Sequence, residues 1–193
     1  MSMQTHSDYR PLFAHMDELL EKNPRVLLAI DGDAASGKTT LAGKLGEIYD
    51  CNILPADHFF PRPEQRTKAR LAEPGGNLDY ERFQTEVLTP LRAGLSFAYR
   101  PWNCKTTAYD GEIMVRPKHL NIIEGAYSQH PTLADAYHIK IFLSVPPDEQ
   151  RRRIRARDGE RMLERFETEW IPMEKRYFSA FEIETQCDFV FVQ

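Results

Sequence analysis

Cysteine is scarce and poorly placed for cross-linking: Cys51, Cys104 and Cys187 are odd in number, far apart and without a C-x-x-C pair. That suggests neither a disulfide framework nor a zinc site, and buried free thiols are the expected reading. No apolar run approaches the roughly 20 residues that a membrane span requires. The first residues, MSMQTHSDYR, lack the basic start and apolar core of a signal peptide. A cytoplasmic location is expected, with no membrane partner. Positive charge is not in excess either. At a formal net charge of −4, a long polyanion is repelled overall, so no nucleic-acid partner is expected, although a local basic patch could hold a small phosphate ligand. Repeats and low-complexity segments are missing too, so the chain reads as one domain, 1–193. A homo-oligomer is compatible with this composition, which does not decide it.

What is present is ordinary for a globular α/β protein, with 41% hydrophobic and 28% charged residues. One stretch is not ordinary. Residues 32–39 read GDAASGKT and fit G-x-x-x-x-G-K-[ST], the phosphate-binding P-loop or Walker A motif. An apolar, partly β-branched run, Val26 to Ile30, precedes it as a buried parallel strand would, and 40–49 reads as a helix. The spacing has a chemical reason. Small residues let the backbone N–H groups from Gly32, Asp33, Ala34, Ala35, Ser36 and Gly37 turn inward around phosphate oxygens, and the helix from Lys38, Thr39 and Thr40 presents its positive end to them. Lys38 adds a mobile charge for the β- and γ-phosphates, and the Thr39 hydroxyl is placed to hold Mg²⁺.

Along the chain, Leu12, Phe13, Met16, Leu19 and Leu20 predict an amphipathic helix over 8–22. A short strand over 51–55 delivers Asp57 to the carboxyl edge, where ligands of open α/β sheets bind. Residues 61–77, rich in Pro, Arg, Lys and Gly, read as a mobile excursion over the site. A helix is predicted over 79–91, then a hairpin-like lobe from the runs 97–102 and 109–115; the acceptor-side insertion spans about 58–116. Two buried strands, 119–124 and 138–145, follow. An arginine-rich helix then opens a lid over about 148–163, a helical tract over 160–181 is expected to kink or split at Pro172, and 188–192 is a last strand. Alternating strands and helices predict a three-layer α/β/α fold, a parallel sheet flanked by helices, with the P-loop at its switch point.

A P-loop alone implies a bound nucleotide. The guanine-reading N-K-x-D and the D-x-x-G loop of GTP switches do not occur. There is instead an acid after the second strand, an acid ending the third and arginines after the fourth, which a small-molecule kinase needs as base, metal ligand and cationic cover. Asp57 is the candidate base, with a turn residue as its plainer reading. Glu124 is the candidate Mg²⁺ ligand. Arg151 with Arg155, and Arg153 with Arg157, form two rows one turn apart; one row, with Arg161 as a candidate addition, is expected to act as a lid, and the rest to be solvated surface. Tyr99, Trp102 and Tyr109 are candidates to stack on a planar ligand, against the commoner role of local core. Arg100 could offer a bidentate contact to an anionic acceptor.

Together these residues resemble the uridine kinase and phosphoribulokinase group of P-loop kinases over nearly the whole chain, 26–192. IDGDAASGKTT is similar to that group's P-loop, ADHFF to its Asp followed by Ser-Phe-Tyr, NLDYERF to its Asn-Phe-Asp with a later Phe, NIIEG to its Glu-Gly strand end and RRRIRARD to its arginine lid. The resemblance implies an ATP- and Mg²⁺-dependent kinase, with Asp57 as base near the metal, Asp79 at a ribose hydroxyl, Glu124 at Mg²⁺, and Arg153 or Arg157 on the phosphates. A nucleoside such as uridine or cytidine is the first acceptor it suggests. Departures gather in the acceptor pocket: Phe60 replaces a tyrosine, and the family's Pro-x-Tyr-Asp-Phe with its following His is here Ala98, Tyr99, Arg100, Pro101 and Trp102 with no His nearby. Pantothenate, nicotinamide riboside, a sugar or an anionic metabolite therefore stay open as acceptors, as does a nucleotide-binding sensor that no longer catalyses.

Overall fold

The computed structural model describes residues 8–193; the first seven, part of the segment read for a leader, lie outside the described residues. Five parallel strands make the central sheet: β1 (Val26–Gly32), β2 (Cys51–Pro55), then β7 (Leu120–Glu124), β8 (Ile139–Ser144) and β9 (Phe189–Val192), in the order β2-β7-β1-β8-β9. The first strand lies in the middle. Chain leaving β1 goes to one side and later returns to the other, so the loop after β1 opens at the switch point of the sheet.

Alternation along β1 assigns its side chains to two cores. Val26, Leu28 and Ile30 face α1 (Arg10–Lys22) and α2 (Lys38–Ile48), meeting Leu12, Met16, Leu41 and Leu45. Leu27 joins the opposite core, with Phe59, Phe83, Val87, Tyr99 and Tyr177. Helices thus cover both faces, which is why β1 can be apolar along both of its sides. Among the described residues no helix is long and apolar enough to cross a membrane.

Residues 61–77, read as an excursion, include a helix, α3 (Lys68–Ala72), N-capped by the Thr67 hydroxyl. Arg70 fastens it, bonding both carboxylate oxygens of Glu81 (2.6 and 2.7 Å) and the carbonyls of Gly76 and Leu78. The expected lobe is a two-tier ribbon, with β3 (Phe97–Tyr99) against β6 (Ile113–Val115) and β4 (Trp102–Asn103) against β5 (Ala108–Tyr109).

The predicted helix over 79–91 is α4 (Tyr80–Phe83), a π-helical turn at Gln84–Leu88 and α5 (Thr89–Ala93). The later tract, after α6 (Pro131–Ala134) and α7 (Pro147–Asp158), has the same form: α8 (Glu160–Arg165), a π turn at Phe166–Trp170, and α9 (Ile171–Ala180). In both, the residue before a proline donates to the carbonyl five residues back, Thr89 to Gln84 and Ile171 to Phe166. Pro90 and Pro172 cannot donate, and their rings press on the carbonyl four residues back. Widening the preceding turn relieves that pressure, so the tract is interrupted at Pro172 by a π turn.

Candidate active site

The loop between β1 and α2 needs glycine at its first position for a steric reason. Gly32 has φ +133°, and a Cβ there would lie 2.0 Å from the Leu143 carbonyl oxygen. Gly37 (φ +98°) and Ala35 (φ +58°) are also left-handed, which turns successive peptides inward. Helix α2 starts at Lys38 with no side chain capping its first N–H groups. Those groups and the positive end of the helix dipole face the loop. The Lys38 ammonium crosses the loop, donating to the carbonyls of Gly32 (2.7 Å) and Asp33 (2.8 Å). Thr40 is exposed two positions further on, and the Ser36 hydroxyl is buried without a partner.

The outer side of the loop is clamped. Asp33 N–H donates to the Leu143 carbonyl at 3.0 Å, and the Asp33 carboxylate accepts from Val145 N–H at 3.1 Å. Gln150 of α7 donates to the Ala34 carbonyl at 3.0 Å, and Arg153 to the Ala35 carbonyl at 3.2 Å. Ala34 N–H donates to the carboxylate of Glu174 on α9 at 3.0 Å. Burial pushes Glu174 up to about 7; Lys38 and the Ala34 N–H pull the other way, and Asp31 and Asp33 add to the rise. Asp31, wholly buried, accepts from Gly32 N–H (2.7 Å), Gln129 N–H (3.1 Å) and Tyr177 O–H (2.9 Å). Its pKa is raised by burial, against the pull of Lys38.

At the carboxyl edge three acidic or hydroxylic side chains converge. Thr39 donates to Glu124 at 3.2 Å, bridging the start of α2 to the end of β7. A 3₁₀ turn after β2, Ala56–Phe59, carries Asp57, and a Cβ on Gly125 (φ +136°) would stand 3.4 Å from Asp57 Oδ1. The residue after Glu124 is thus tight against Asp57. Burial lifts the Glu124 carboxyl first and the Asp57 charge lifts it further. Asp57 is also raised by its crowded surroundings, opposed by Lys38, His58 and Arg157. The residue is nonetheless exposed to solvent, which moderates the rise. Hard oxygen donors few in number, one hydroxyl and one or two carboxylates, fit Mg²⁺, which takes its remaining ligands from phosphates and water. Among the described residues no group of three or more His, Cys, Asp or Glu offers an all-protein metal site.

Of the two arginine rows, that of Arg153 and Arg157 faces the loop and cleft. Arg153 reaches Ala35 while held by Glu149 at 2.7 Å, and Arg157 acts on Asp57 electrostatically beside its own pair with Asp158. Arg151 and Arg155 are paired on the surface with Glu167 and Glu160, each at 2.6 Å. On the acceptor side, Asp79 is buried at the N-cap of α4, accepting from Arg82 N–H at 3.2 Å. Tyr99 points into the core, its ring 5.2 Å from Phe59 and its hydroxyl 3.0 Å from His58 Nδ1. Trp102 meets Tyr109 edge-on, and Arg100 is exposed, stacked 5.1 Å from the Tyr109 ring.

No protein-family model matches the chain, and no curated protein matches it. Solved structures do. The fold, a parallel sheet flanked by helices with the loop after its central strand, is shared with solved structures that include a uridine kinase candidate, a P-loop-containing protein and a glycerate kinase. A possible uridine kinase from Bacillus stearothermophilus superposes with a TM-score of 0.66 at 19% identity, over 94% of this chain and 99% of that one. YFH7 from Saccharomyces cerevisiae, a P-loop-containing protein with a circular permutation, gives 0.60 at 13% identity, over 97% and 99%. D-glycerate 3-kinase from Cryptococcus neoformans gives 0.60 at 10%, over 95% and 94%. At these identities the likeness is one of fold.

Proposed function

We propose that the chain is an ATP- and Mg²⁺-dependent kinase that phosphorylates a hydroxyl of a small molecule. The observation that supports this best is the meeting of Lys38, Thr39, Glu124 and Asp57, from three separate segments, at the carboxyl edge beside an uncapped helix start. In this reading the loop amides and Lys38 hold the β- and γ-phosphates. Thr39 and Glu124 would hold Mg²⁺, which when bound neutralises charge on those phosphates. Asp57 orients the acceptor hydroxyl and takes its proton as the acceptor oxygen bonds to the γ-phosphorus and the bond to ADP breaks. Burial raises the Asp57 carboxylate's affinity for a proton, which favours its taking that proton. Arg153 and Arg157 offset charge on the transferring group.

By resemblance the first acceptor to try is uridine or cytidine. Pantothenate, nicotinamide riboside, sugars and anionic metabolites are the others. The test is ADP release with ATP and Mg²⁺ across these acceptors, with Lys38→Ala as blank. Stimulation by one of them, lost in the blank, establishes the kinase. Tight ATP binding without stimulation by any acceptor would point to a non-catalytic nucleotide-binding protein.

A further inference from the structure

Arg82 is buried on the acceptor side, at a position the sequence did not single out. Its side chain is only 9% exposed, yet the guanidinium is barely satisfied. Of its donors, one Nη2–H bonds the His58 carbonyl at 2.9 Å. Nε lies 3.8 Å from the Glu86 carboxylate, an ion pair without a hydrogen bond, and Nε and Nη1 are both buried with no hydrogen-bond partner. A buried cation in that state is costly, and native structures rarely leave one so. The fork is also oriented: its central carbon lies 4.2 Å over the Phe59 ring and 5.1 Å from the Tyr109 ring. Two aromatic faces fix its plane, which is how arginine is set for bidentate recognition of a carboxylate or phosphate.

A second orphan stands on the same turn. Asp79 Oδ1 accepts the Arg82 N–H, whereas Asp79 Oδ2 is buried with no partner. An unsatisfied acceptor and unsatisfied donors carried on one helical turn are complementary to a ligand bearing both a hydroxyl and an anion. The position suits an acceptor: Arg82 is hydrogen-bonded to the peptide of His58, the residue next to Asp57, and Asp79 N–H donates to the Phe59 carbonyl at 2.7 Å. Arg100, by contrast, lies exposed on the outer side of Tyr109.

We infer that Arg82 is the specificity-determining residue of an anion subsite, so that the acceptor is a hydroxyl compound bearing a carboxylate or a phosphate. This rests on the kinase reading for its chemistry but not for its binding. Within the acceptors named above it favours the charged ones over a neutral nucleoside. The β4–β5 ribbon, which carries Tyr109, covers the guanidinium and would have to shift for a ligand to enter.

The experiment uses matched pairs: glycerol with D-glycerate and pantothenol with pantothenate for a carboxylate, ribose with ribose 5-phosphate for a phosphate, and uridine as the neutral nucleoside. Binding is measured by calorimetry on the full chain and turnover by ADP release. A charged member of one pair is expected to bind and turn over better than its neutral partner, and the pair that responds names the anion. Arg82→Gln should raise its Kd and KM about 10- to 100-fold, the worth of charge-assisted hydrogen bonds, with the Kd for ATP unchanged. Arg82→Lys, which keeps the charge and loses the fork, should fall between. Charge-independent binding, or Arg82 variants that lower the melting temperature while leaving the anion's Kd unchanged, would make Arg82 a purely structural residue. Charge-dependent binding without turnover would overturn the kinase reading and keep the subsite; turnover of uridine with no preference for any anion would do the reverse.

Discussion

The Glu174 carboxylate accepts a hydrogen bond from Ala34 N–H at 3.0 Å across 140 residues of chain. Helix α9, which follows the arginine-bearing segment, is thereby fastened to the P-loop, and Tyr177 one turn on fastens it to Asp31 at 2.9 Å. A buried carboxylate thus holds the outer side of a loop whose inner side is shaped for anions.

Stability should fall as pH rises through the window set by Glu174. Folded, the group keeps its proton to about 7; unfolded, it releases it near 4.5. Between these values the folded chain holds the extra proton, so each step up in pH favours unfolding until the window is passed. The shift corresponds to a loss on the order of 3 kcal/mol. Glu174→Gln, which can still accept from Ala34, should gain stability relative to the parent between pH 5 and pH 8. Melting temperatures of both at the two pH values check this; parallel curves would mean that Glu174 does not titrate there.

Gly32→Ala should cost more than Gly37→Ala. Both positions are left-handed, but a Cβ at Gly32 meets the Leu143 carbonyl at 2.0 Å and one at Gly37 meets nothing within 4 Å. Backbone strain alone is worth about 1–3 kcal/mol, and the collision at Gly32 adds to it because β1 and β8 would have to part. Denaturant midpoints rank the two, and equal losses would contradict the packing argument.

The arginines of α7 should divide by row. Arg153→Met removes a side chain that reaches the Ala35 carbonyl, and turnover is expected to drop on the order of 10²-fold. Arg151→Met breaks only a surface pair with Glu167, and turnover should stay within about threefold, since such pairs contribute little. Comparable losses in both would place the catalytic cover elsewhere.

The parallel strands and the P-loop were legible because their signals are local: an apolar run such as Val26 to Ile30 declares a buried strand, and G-x-x-x-x-G-K-T carries its own geometry. Glu124 could be placed because it is the last residue of its strand, and Asp57 because it follows two residues after one, at the same sheet edge. The arginine rows could not be told apart, since the rotation of α7 is set by tertiary packing of Ile154 and Gln150, both buried. Glu174 gave no signal at all. It lies in a polar, helical stretch, and only the fold brings it to Ala34. Asp31 left a trace, a charge directly after an apolar run and next to Gly32, whereas nothing in the sequence distinguishes Arg82 from a surface helix arginine; its place between Phe59 and Tyr109 is set by the fold. The π turns ahead of Pro90 and Pro172 were foreshadowed only at Pro172, as an interruption whose form depended on the surrounding core.

The most direct test of the proposed chemistry is Asp57→Asn, assayed for ADP release with the acceptor that stimulates the parent and for ATP affinity in parallel. The substitution removes the proton acceptor while keeping the shape of the side chain. Turnover is expected to fall by a factor on the order of 10² to 10⁴ with the Kd for ATP nearly unchanged. Full turnover in the variant would contradict the assignment of Asp57 as the base and, with it, the account of the cleft as a phosphoryl-transfer site built around that residue.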